Sequence, residues 1–394
     1  MVDLATLPPS LDVDPFADSV RADPYECFRQ IRDEGPVCYL DKYGVYAIAR
    51  HQELKDALLN WTDFSSASGV ALNDLMNSLM VGTVLTSDPP DHTQLRQILG
   101  RPLASARLAL LRQQLRELAH ERVKKLVRRG RIDAMADIAM LLPITVVSEM
   151  VGLPEEGRER MLEWAGAAFN GMAPAGLQLC DDAFPIMGSL VEYITDPQLV
   201  QKLKPDSWAA QLWSTVEAGE LSAEAFRSII QGYVSPSLDT TIFAVGNLIW
   251  LLATNPAQWA ELKADRALIP RCLNESLRIE SPALGFSRVT RRDVEIGGIG
   301  VPKGARVITL LAAANRDERR YAEPDRFDIR RDARDHLAFG GGVHRCVGGN
   351  LAMLELTAVL EALVDQVDSI ELHSFVRAQN AILRGFEKLE VTLN

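Results

Sequence analysis

The chain has 394 residues, 47% of them apolar and 24% charged, a balance that permits a large buried core and excludes a disordered or fibrous chain. Its 42 Lys and Arg against 53 Asp and Glu leave a net charge of −11, and no basic block interrupts the sequence, so nucleic acid and anionic membrane surfaces are poor partners. The first twenty residues hold no basic stretch followed by an apolar run, and the strongest apolar stretch, 242–253, is about a dozen residues long, so no signal peptide, anchor or membrane span is expected.

In chain order, 24–33 reads as a helix with Asp23 as its N-cap, and 37–40 with 45–50 as a hairpin around 41–44. A short helix over 51–60 precedes a loop-like stretch, 61–90, that ends in paired prolines. The pattern is helical from 91 to 152, with interruptions near Pro102 and Gly130, and again over 155–171, 180–195 and 207–218. A long apolar-periodic stretch covers 222–254, and helices over 256–264 and 268–281 follow. Beyond Pro282 the character changes. Short strands (284–289, 294–296, 306–310) give way to an irregular region, 315–345, and then to a last helix over 348–367 with weak strands after it. The expected fold is one mainly α domain spanning 1–394, with a small β portion. Five cysteines, at 27, 38, 180, 272 and 346, form no C-x-x-C pair and are odd in number, which disfavours a disulfide framework or zinc site and suits a reducing cytoplasm.

The chemistry-bearing stretches are few. Phe339-Gly340-Gly341-Gly342-Val343-His344-Arg345-Cys346-Val347-Gly348-Gly349 sets a cysteine among glycines just before a helix. Glycine admits close approach of a ligand and positive φ. N–H groups at a helix start favour negative charge, and are expected to lower the thiol pKa. On these grounds alone Cys346 is as readily a small core residue, and the glycines as readily a phosphate cradle. Glu275 and Arg278 share a helix face, a spacing common among solvated pairs. His92 and Arg96, in Asp88-Pro89-Pro90-Asp91-His92-Thr93-x-x-Arg96, do the same. Asp239-Thr240 puts an acid beside a hydroxyl, a pairing suited to proton delivery and equally compatible with ordinary helix residues.

Taken together, these stretches resemble the cytochromes P450. The cysteine segment matches F-G-x-G-x-H-x-C-x-G at all six fixed positions, Glu275-Ser276-Leu277-Arg278 stands where the family has E-x-x-R, and the likeness extends from about Asp23 to Leu393. Asn315-Arg316-Asp317 and Arg291-x-Asp293-Val294 also look like bacterial members. The resemblance implies haem b, with Cys346 as the metal ligand, Phe339 beside the cofactor, and His92, Arg96, Arg288 and His344 on its propionates. It implies a buried network of Glu275 and Arg278 with Arg326, from Pro324-Asp325-Arg326-Phe327. It makes Thr240 the alcohol beside dioxygen and Asp239 the acid that relays protons. The chain departs from the family at Pro236-Ser237, where a small pair is usual. Proline has no N–H for the Gly232 carbonyl, which suits a kinked helix. Ser237 either joins the relay or narrows the groove.

Among bacterial members, Phe64-Ser65-Ser66-Ala67-Ser68-Gly69-Val70, Phe169-Asn170 and Leu383-Arg384-Gly385-Phe386 are similar to enzymes that O-demethylate small methoxyarenes. In the acid-binding enzymes an arginine follows F-S-S-A; Ser68 here implies a neutral aromatic. The expected pocket comprises Val81, Phe169, Gly232, Ser235, Leu284, Phe286 and Phe386, with 284 and 286 on one strand face; its aromatic residues are as readily plain core. The expected reaction is oxidative O-demethylation of a guaiacol- or syringol-like methoxyphenol. The alternatives are hydroxylation of another small apolar molecule, such as a terpenoid, and a non-catalytic haem-thiolate carrier. The partners implied are dioxygen and a separate reductase or ferredoxin, since no flavin or iron–sulfur pattern is present. Arg101, Arg107, Arg112, Arg116 and Arg345 form the candidate docking patch for that donor.

Overall fold

A computed structural model describes residues 8–147, 151–154 and 157–394. The expected balance holds: the described residues are mainly helical with a smaller β portion. The helices are α1 (Asp18–Ala22), α2 (Tyr25–Glu34), α3 (His51–Leu59), α4 (Asp74–Leu79), α5 (Asp91–Gly100), α6 (Ser105–Val127), α7 (Leu141–Val146) and α8 (Met161–Asn170). They continue as α9 (Gln178–Thr195), α10 (Trp208–Glu217), α11 (Ala223–Ser237), α12 (Asp239–Thr254), α13 (Pro256–Ala264), α14 (Ile269–Ile279), α15 (Leu311–Ala314) and α16 (Gly349–Gln366).

Six strands form one sheet in the order β1 (Ser10–Leu11), β2 (Cys38–Leu40), β3 (Val45–Ile48), β9 (Arg306–Thr309), β6 (Phe286–Thr290), β4 (Phe64–Ser65). The hairpin β2–β3 is antiparallel around Gly44, whose φ of 63° the turn requires. β10 (Ile370–Arg377), β11 (Phe386–Leu393) and β5 (Arg131–Asp133) form a second sheet, and β7 (Val294–Ile296) pairs β8 (Ile299–Val301).

Where the elements differ from the sequence pattern, the reason is local. The stretch 91–152 breaks into α5, a 3-10 turn at Arg101–Leu103, α6, strand β5, a π turn at Met135–Ala139 and α7. Residues 148–150 and 155–156 of the expected helices lie outside the described residues. The loop 61–90 contains β4 and α4, the latter capped by Asn73, whose side chain accepts from the Met76 N–H. The apolar stretch 222–254 divides at Leu238 into α11 and α12, just past Pro236. Together these two helices are long and apolar enough to cross a membrane, yet most of their apolar surface is buried within the protein, with α12 inside the main core. A helix apolar all round is one that other elements surround.

A buried ion pair organises the irregular segment 315–345. Arg278 Nε and Nη2 donate to Glu275 at 2.7 and 2.8 Å, and both side chains are fully buried. Arg278 Nη1 also donates to the carbonyls of Asn315 and Pro324, at 2.8 and 2.9 Å. The third charged partner is Arg331, whose Nε lies 3.1 Å from Glu275 Oε1, not Arg326 as the family pattern implies. The Arg326 side chain is exposed and pairs with Glu323 at 3.0 Å; only its backbone carbonyl meets the network. The chain turn after Phe327 brings the later arginine onto the carboxylate, together with the Asp328 N–H at 3.1 Å. Removing one partner of such a network strands a buried charge. Arg278→Ala should therefore cost about 3–5 kcal/mol in urea unfolding, whereas Arg326→Ala should stay within about 0.5 kcal/mol of the parent.

Candidate functional site

Glycine geometry shapes the cysteine loop. Gly340 and Gly342 have φ of 66° and 60°, and a Cβ on Gly342 would lie 2.3 Å from the Leu58 carbonyl oxygen. The Cys346 N–H returns to the Phe339 carbonyl at 2.8 Å, closing the loop before α16. Cys346 is deeply placed, yet its surface opens onto an internal cavity of about 310 Å³. Its thiol pKa is raised, contrary to the expectation from the helix start. Burial outweighs the backbone N–H groups of Gly348 and Gly349 and the nearby Arg96 and Arg345, which all act to lower it.

His92, Arg96, Arg288, Phe339 and His344 line the same cavity. The His92 and His344 ring centroids lie 4.3 Å apart with the rings tilted at 57°, and the Nε2 atoms of both are buried without a hydrogen-bond partner among the described residues. Burial and then the neighbouring arginine lower the pKa of each, that of His344 to about 3. Arg288 is buried and its pKa is pushed down to about 10 by burial; among the described residues its guanidinium donates only to the adjacent Ser287 carbonyl, at 2.7 Å. Arg96 donates to the Arg345 carbonyl. Asp88, the nearest acid, is already held by Ser65, the Ser66 N–H and Arg291, and lies 3.9 Å from His344. The cluster thus carries an excess of donors with no anion to meet them. Two carboxylates of a flat cofactor beside the thiol would satisfy it, and the residues present fit iron protoporphyrin IX.

On the other side of the cavity, Thr240 lines the wall and its Oγ1 donates to the Pro236 carbonyl at 2.8 Å. Asp239 is buried and does not line the cavity. A Cβ on Gly166 of α8 would meet Asp239 Oδ2 at 3.3 Å, so the carboxyl faces α8. Burial raises its pKa to about 7. Phe169, Gly232 and Phe286 line the cavity as expected. Ser235 sits within α11, with its side chain outside the described residues.

Three expected pocket residues are corrected. Val81 is 74% exposed, while its neighbour Met80 faces the cavity. Leu284 is buried in the core instead. Strand β6 starts only at Phe286, and Gly285 packs so closely on the Thr309 carbonyl that a Cβ would lie 2.4 Å away, so the alternation does not carry back to 284. Phe386 opens β11 and packs against Trp250 and Phe375 at 5.8 and 5.5 Å, outside the cavity. Ser68 is exposed and also outside it.

Sequence reasoning missed Glu355, a buried carboxyl on α16 that lines the cavity with Oε1 unpartnered and its pKa pushed by burial to about 8. It missed Gln231, Met76 and Met80 as well. The only available signal was helical spacing from Cys346 and from Gly232, and that spacing does not separate cavity wall from core.

A family model described as Cytochrome P450 matches residues 209–369. The chain is 36% identical to Cytochrome p450 CYP199A2 of Rhodopseudomonas palustris, covering 98% of this chain and 94% of that protein. It is 30% identical to Cytochrome P450 monooxygenase PikC of Streptomyces venezuelae, covering 98% and 94%. The solved structure of cytochrome P450 CREJ in complex with (4-ethylphenyl) dihydrogen phosphate matches with a TM-score of 0.86 at 25% identity, covering 97% of this chain and 99% of that one.

The raised pKa of Asp239 has a measurable consequence. An acid with a folded pKa near 7 and an unfolded value of 3.8 binds more protons when folded, so stability falls as pH rises between those values. Asp239→Asn is neutral throughout. Its stability relative to the parent should be higher at pH 8 than at pH 5, by about 2–3 kcal/mol, in urea unfolding at the two pH values.

Proposed function

The chain belongs to the cytochrome P450 family, and from that premise we propose that it oxidatively O-demethylates a small neutral methoxyphenol of the guaiacol or syringol type. Membership makes it a monooxygenase that carries haem b, which disposes of the non-catalytic carrier. When bound, haem supplies activation of dioxygen and oxidation of a C–H bond. Cys346 would hold the iron, Arg96, Arg288, His92 and His344 would take the propionates, and Phe339 would pack beside the macrocycle. One oxygen atom of dioxygen enters the methoxy methyl group and the other leaves as water, with two electrons and two protons consumed. The resulting hemiacetal then expels formaldehyde and leaves a phenolic hydroxyl, a catechol when the substrate is guaiacol.

The two protons are the task of the chain. Thr240 presents a hydroxyl to the cavity, and Asp239 holds a proton up to about neutral pH because burial disfavours its charged form. The carboxyl faces Gly166, so proton delivery to Thr240 requires it to rotate away from α8.

The charge of the cavity wall carries the substrate reading. Apart from the four residues proposed for the propionates, no Lys, Arg or His lines the cavity among the described residues. The remaining wall is apolar, with Met76, Met80, Phe169 and Phe286, and carries polar groups such as Gln231 and Thr83 together with the buried carboxyl of Glu355, which adds no positive charge. Arg384, a candidate partner for an acid, is committed elsewhere. Its Nε lies 2.9 Å from Glu280 and its Nη1 3.0 Å from the Ala22 carbonyl. A carboxylate substrate would thus be buried without a partner. The aryl ligand held by CREJ supports an aromatic substrate.

Spectral titration tests this reading. Guaiacol should bind at least about a hundredfold more tightly than 4-methoxybenzoate, equivalent to about 3 kcal/mol. Ser68→Arg should leave that ratio unchanged, since Ser68 is exposed. Tighter binding of the benzoate overturns the neutral-substrate reading.

A separate electron donor is part of the proposal. Arg101, Arg107 and Arg112 are exposed, with no ion pair among the described residues, and Arg345 is exposed beside Cys346, whereas Arg116 pairs with Glu361 at 3.1 Å. On a chain of net charge −11 this face attracts an acidic donor. Reduction by the donor should slow as salt rises, and Arg107→Glu with Arg112→Glu should slow it at low salt, both read by stopped-flow spectroscopy.

A further inference from the structure

Methionine stands on the cavity wall at positions where leucine would fill much the same volume. Helix α4 turns Leu75 and Leu79 outward, 57% and 50% exposed, and turns Met76 and Met80, four residues apart on the other face, onto the cavity. Met172, from the segment between α8 and α9, joins them there. Hydrogen bonds tie the two segments together. The Leu72 N–H donates to the Met172 carbonyl at 2.8 Å, and the Asn73 side-chain amide donates to the carbonyls of Gly171 and Ala173 at 2.8 and 2.6 Å. The thioethers of Met76, Met80 and Met172 therefore converge on one wall. These residues are only 1%, 5% and 6% exposed, so the cavity is the route by which a small reagent reaches them. Met135 and Met161 are buried as deeply, at 1% and 3%, but pack in the main core and do not line the cavity.

We propose that Met76, Met80 and Met172 form an oxidation site: hydrogen peroxide released in the cavity converts them to sulfoxides, and the wall then holds an apolar ligand less tightly. The site stands on the oxygen chemistry of a monooxygenase and not on the identity of the substrate. Dioxygen that takes up two electrons and two protons with no C–H bond to receive an oxygen atom leaves as hydrogen peroxide. A thioether sulfur attacks one peroxide oxygen. The O–O bond breaks, an S–O bond forms, and the second oxygen leaves as water with both hydrogens. Sulfur is thereby oxidised by two electrons and peroxide is reduced by two. The product turns a flexible apolar side chain into a polar one. When an apolar ring displaces water from the cavity, the sulfoxide oxygen is left without a donor, which opposes binding. The change is reversible, because enzymatic sulfoxide reduction restores the thioether. Leucine at the same positions would pack as well and could not respond.

The test treats the haem-loaded wild type with hydrogen peroxide and follows each methionine by peptide mass spectrometry, sampling only while the thiolate-type carbon monoxide spectrum is intact. Met76, Met80 and Met172 should gain an oxygen atom at least about tenfold faster than Met135 and Met161. As they do so, guaiacol affinity should fall about tenfold in spectral titration, and it should recover after treatment with a methionine sulfoxide reductase. The combined variant Met76→Leu, Met80→Leu and Met172→Leu should keep its affinity within about twofold through the same treatment. Equal oxidation rates at the cavity methionines and at Met135 and Met161 overturn the site. Oxidation of the cavity methionines with guaiacol affinity unchanged overturns the effect on binding. If the combined variant fails to hold haem, the oxidation rates and the recovery in the wild type decide. Failure of the untreated wild type to bind guaiacol removes the methoxyphenol reading, whereas the relative oxidation rates still decide the site.

Discussion

The fully buried pair of Glu275 and Arg278 is the interaction on which the site depends. Residues 315–345 form almost no ladder or helix, so their backbone groups cannot satisfy one another as those of regular elements do. The guanidinium of Arg278 gathers the carbonyls of Asn315 and Pro324, and the carboxylate of Glu275 gathers the Asp328 N–H and Arg331. The side chain of Asn315 carries the order forward, accepting from the Leu337 N–H at 2.7 Å just before the cysteine loop. Glu280, just beyond the end of α14, performs a parallel task. Burial would raise its pKa, but Arg384, Arg316 and Arg377 more than offset that, and Tyr25 donates to it at 3.0 Å. This second centre joins α2 to the C-terminal hairpin. One helix therefore anchors the cysteine loop and the chain ends through two carboxylates, each satisfied by more than one arginine.

Charge is divided unevenly across the cavity. The side near Cys346 holds Arg96, Arg288, His92 and His344, crowded enough that both imidazoles are kept neutral. The opposite wall is apolar with isolated neutral polar groups. Cations packed without a counter-ion are unfavourable in a low-dielectric interior, so the arrangement is complete only with an anion in place. The apolar wall sets the reverse requirement, that whatever else enters be neutral. A single cavity thus specifies an anionic cofactor at one end and an uncharged ligand at the other.

The break between α11 and α12 concentrates the groups that do not suit a helix interior. Pro236 removes a donor, Leu238 has φ −87° and ψ −73° between the two helices, and Asp239 is buried without a charged partner. Each of these costs stability, and each lies at the cavity or one residue from a lining residue. Local rules fail where function is located, because a regular, fully hydrogen-bonded and apolar helix would offer no proton to a ligand.

The amino-acid sequence by itself determined the helical framework and the glycine-rich cysteine loop, whereas His92, Arg96, Arg288 and His344 were legible only through the resemblance to the family. The framework and the loop are governed by short-range rules: glycine where φ is positive or the backbone approaches closely, helical spacing, and residue types whose chemistry is specific in a fixed string. The sequence also placed the Glu275–Arg278 pair, which lies within one helical turn. Only the tertiary structure decided the rest, because each outcome turns on contacts between distant segments. Arg331 rather than Arg326 completes the buried network because the chain turns after Phe327. Phe386 faces Trp250 and not the cavity because its strand is aligned by β10 and β5. Leu284 leaves the cavity wall because Gly285 packs onto β9. Burial, which no local pattern encodes, raises the thiol of Cys346 and the carboxyls of Asp239 and Glu355, since desolvation is set by everything that packs around a group and not by its neighbours in sequence.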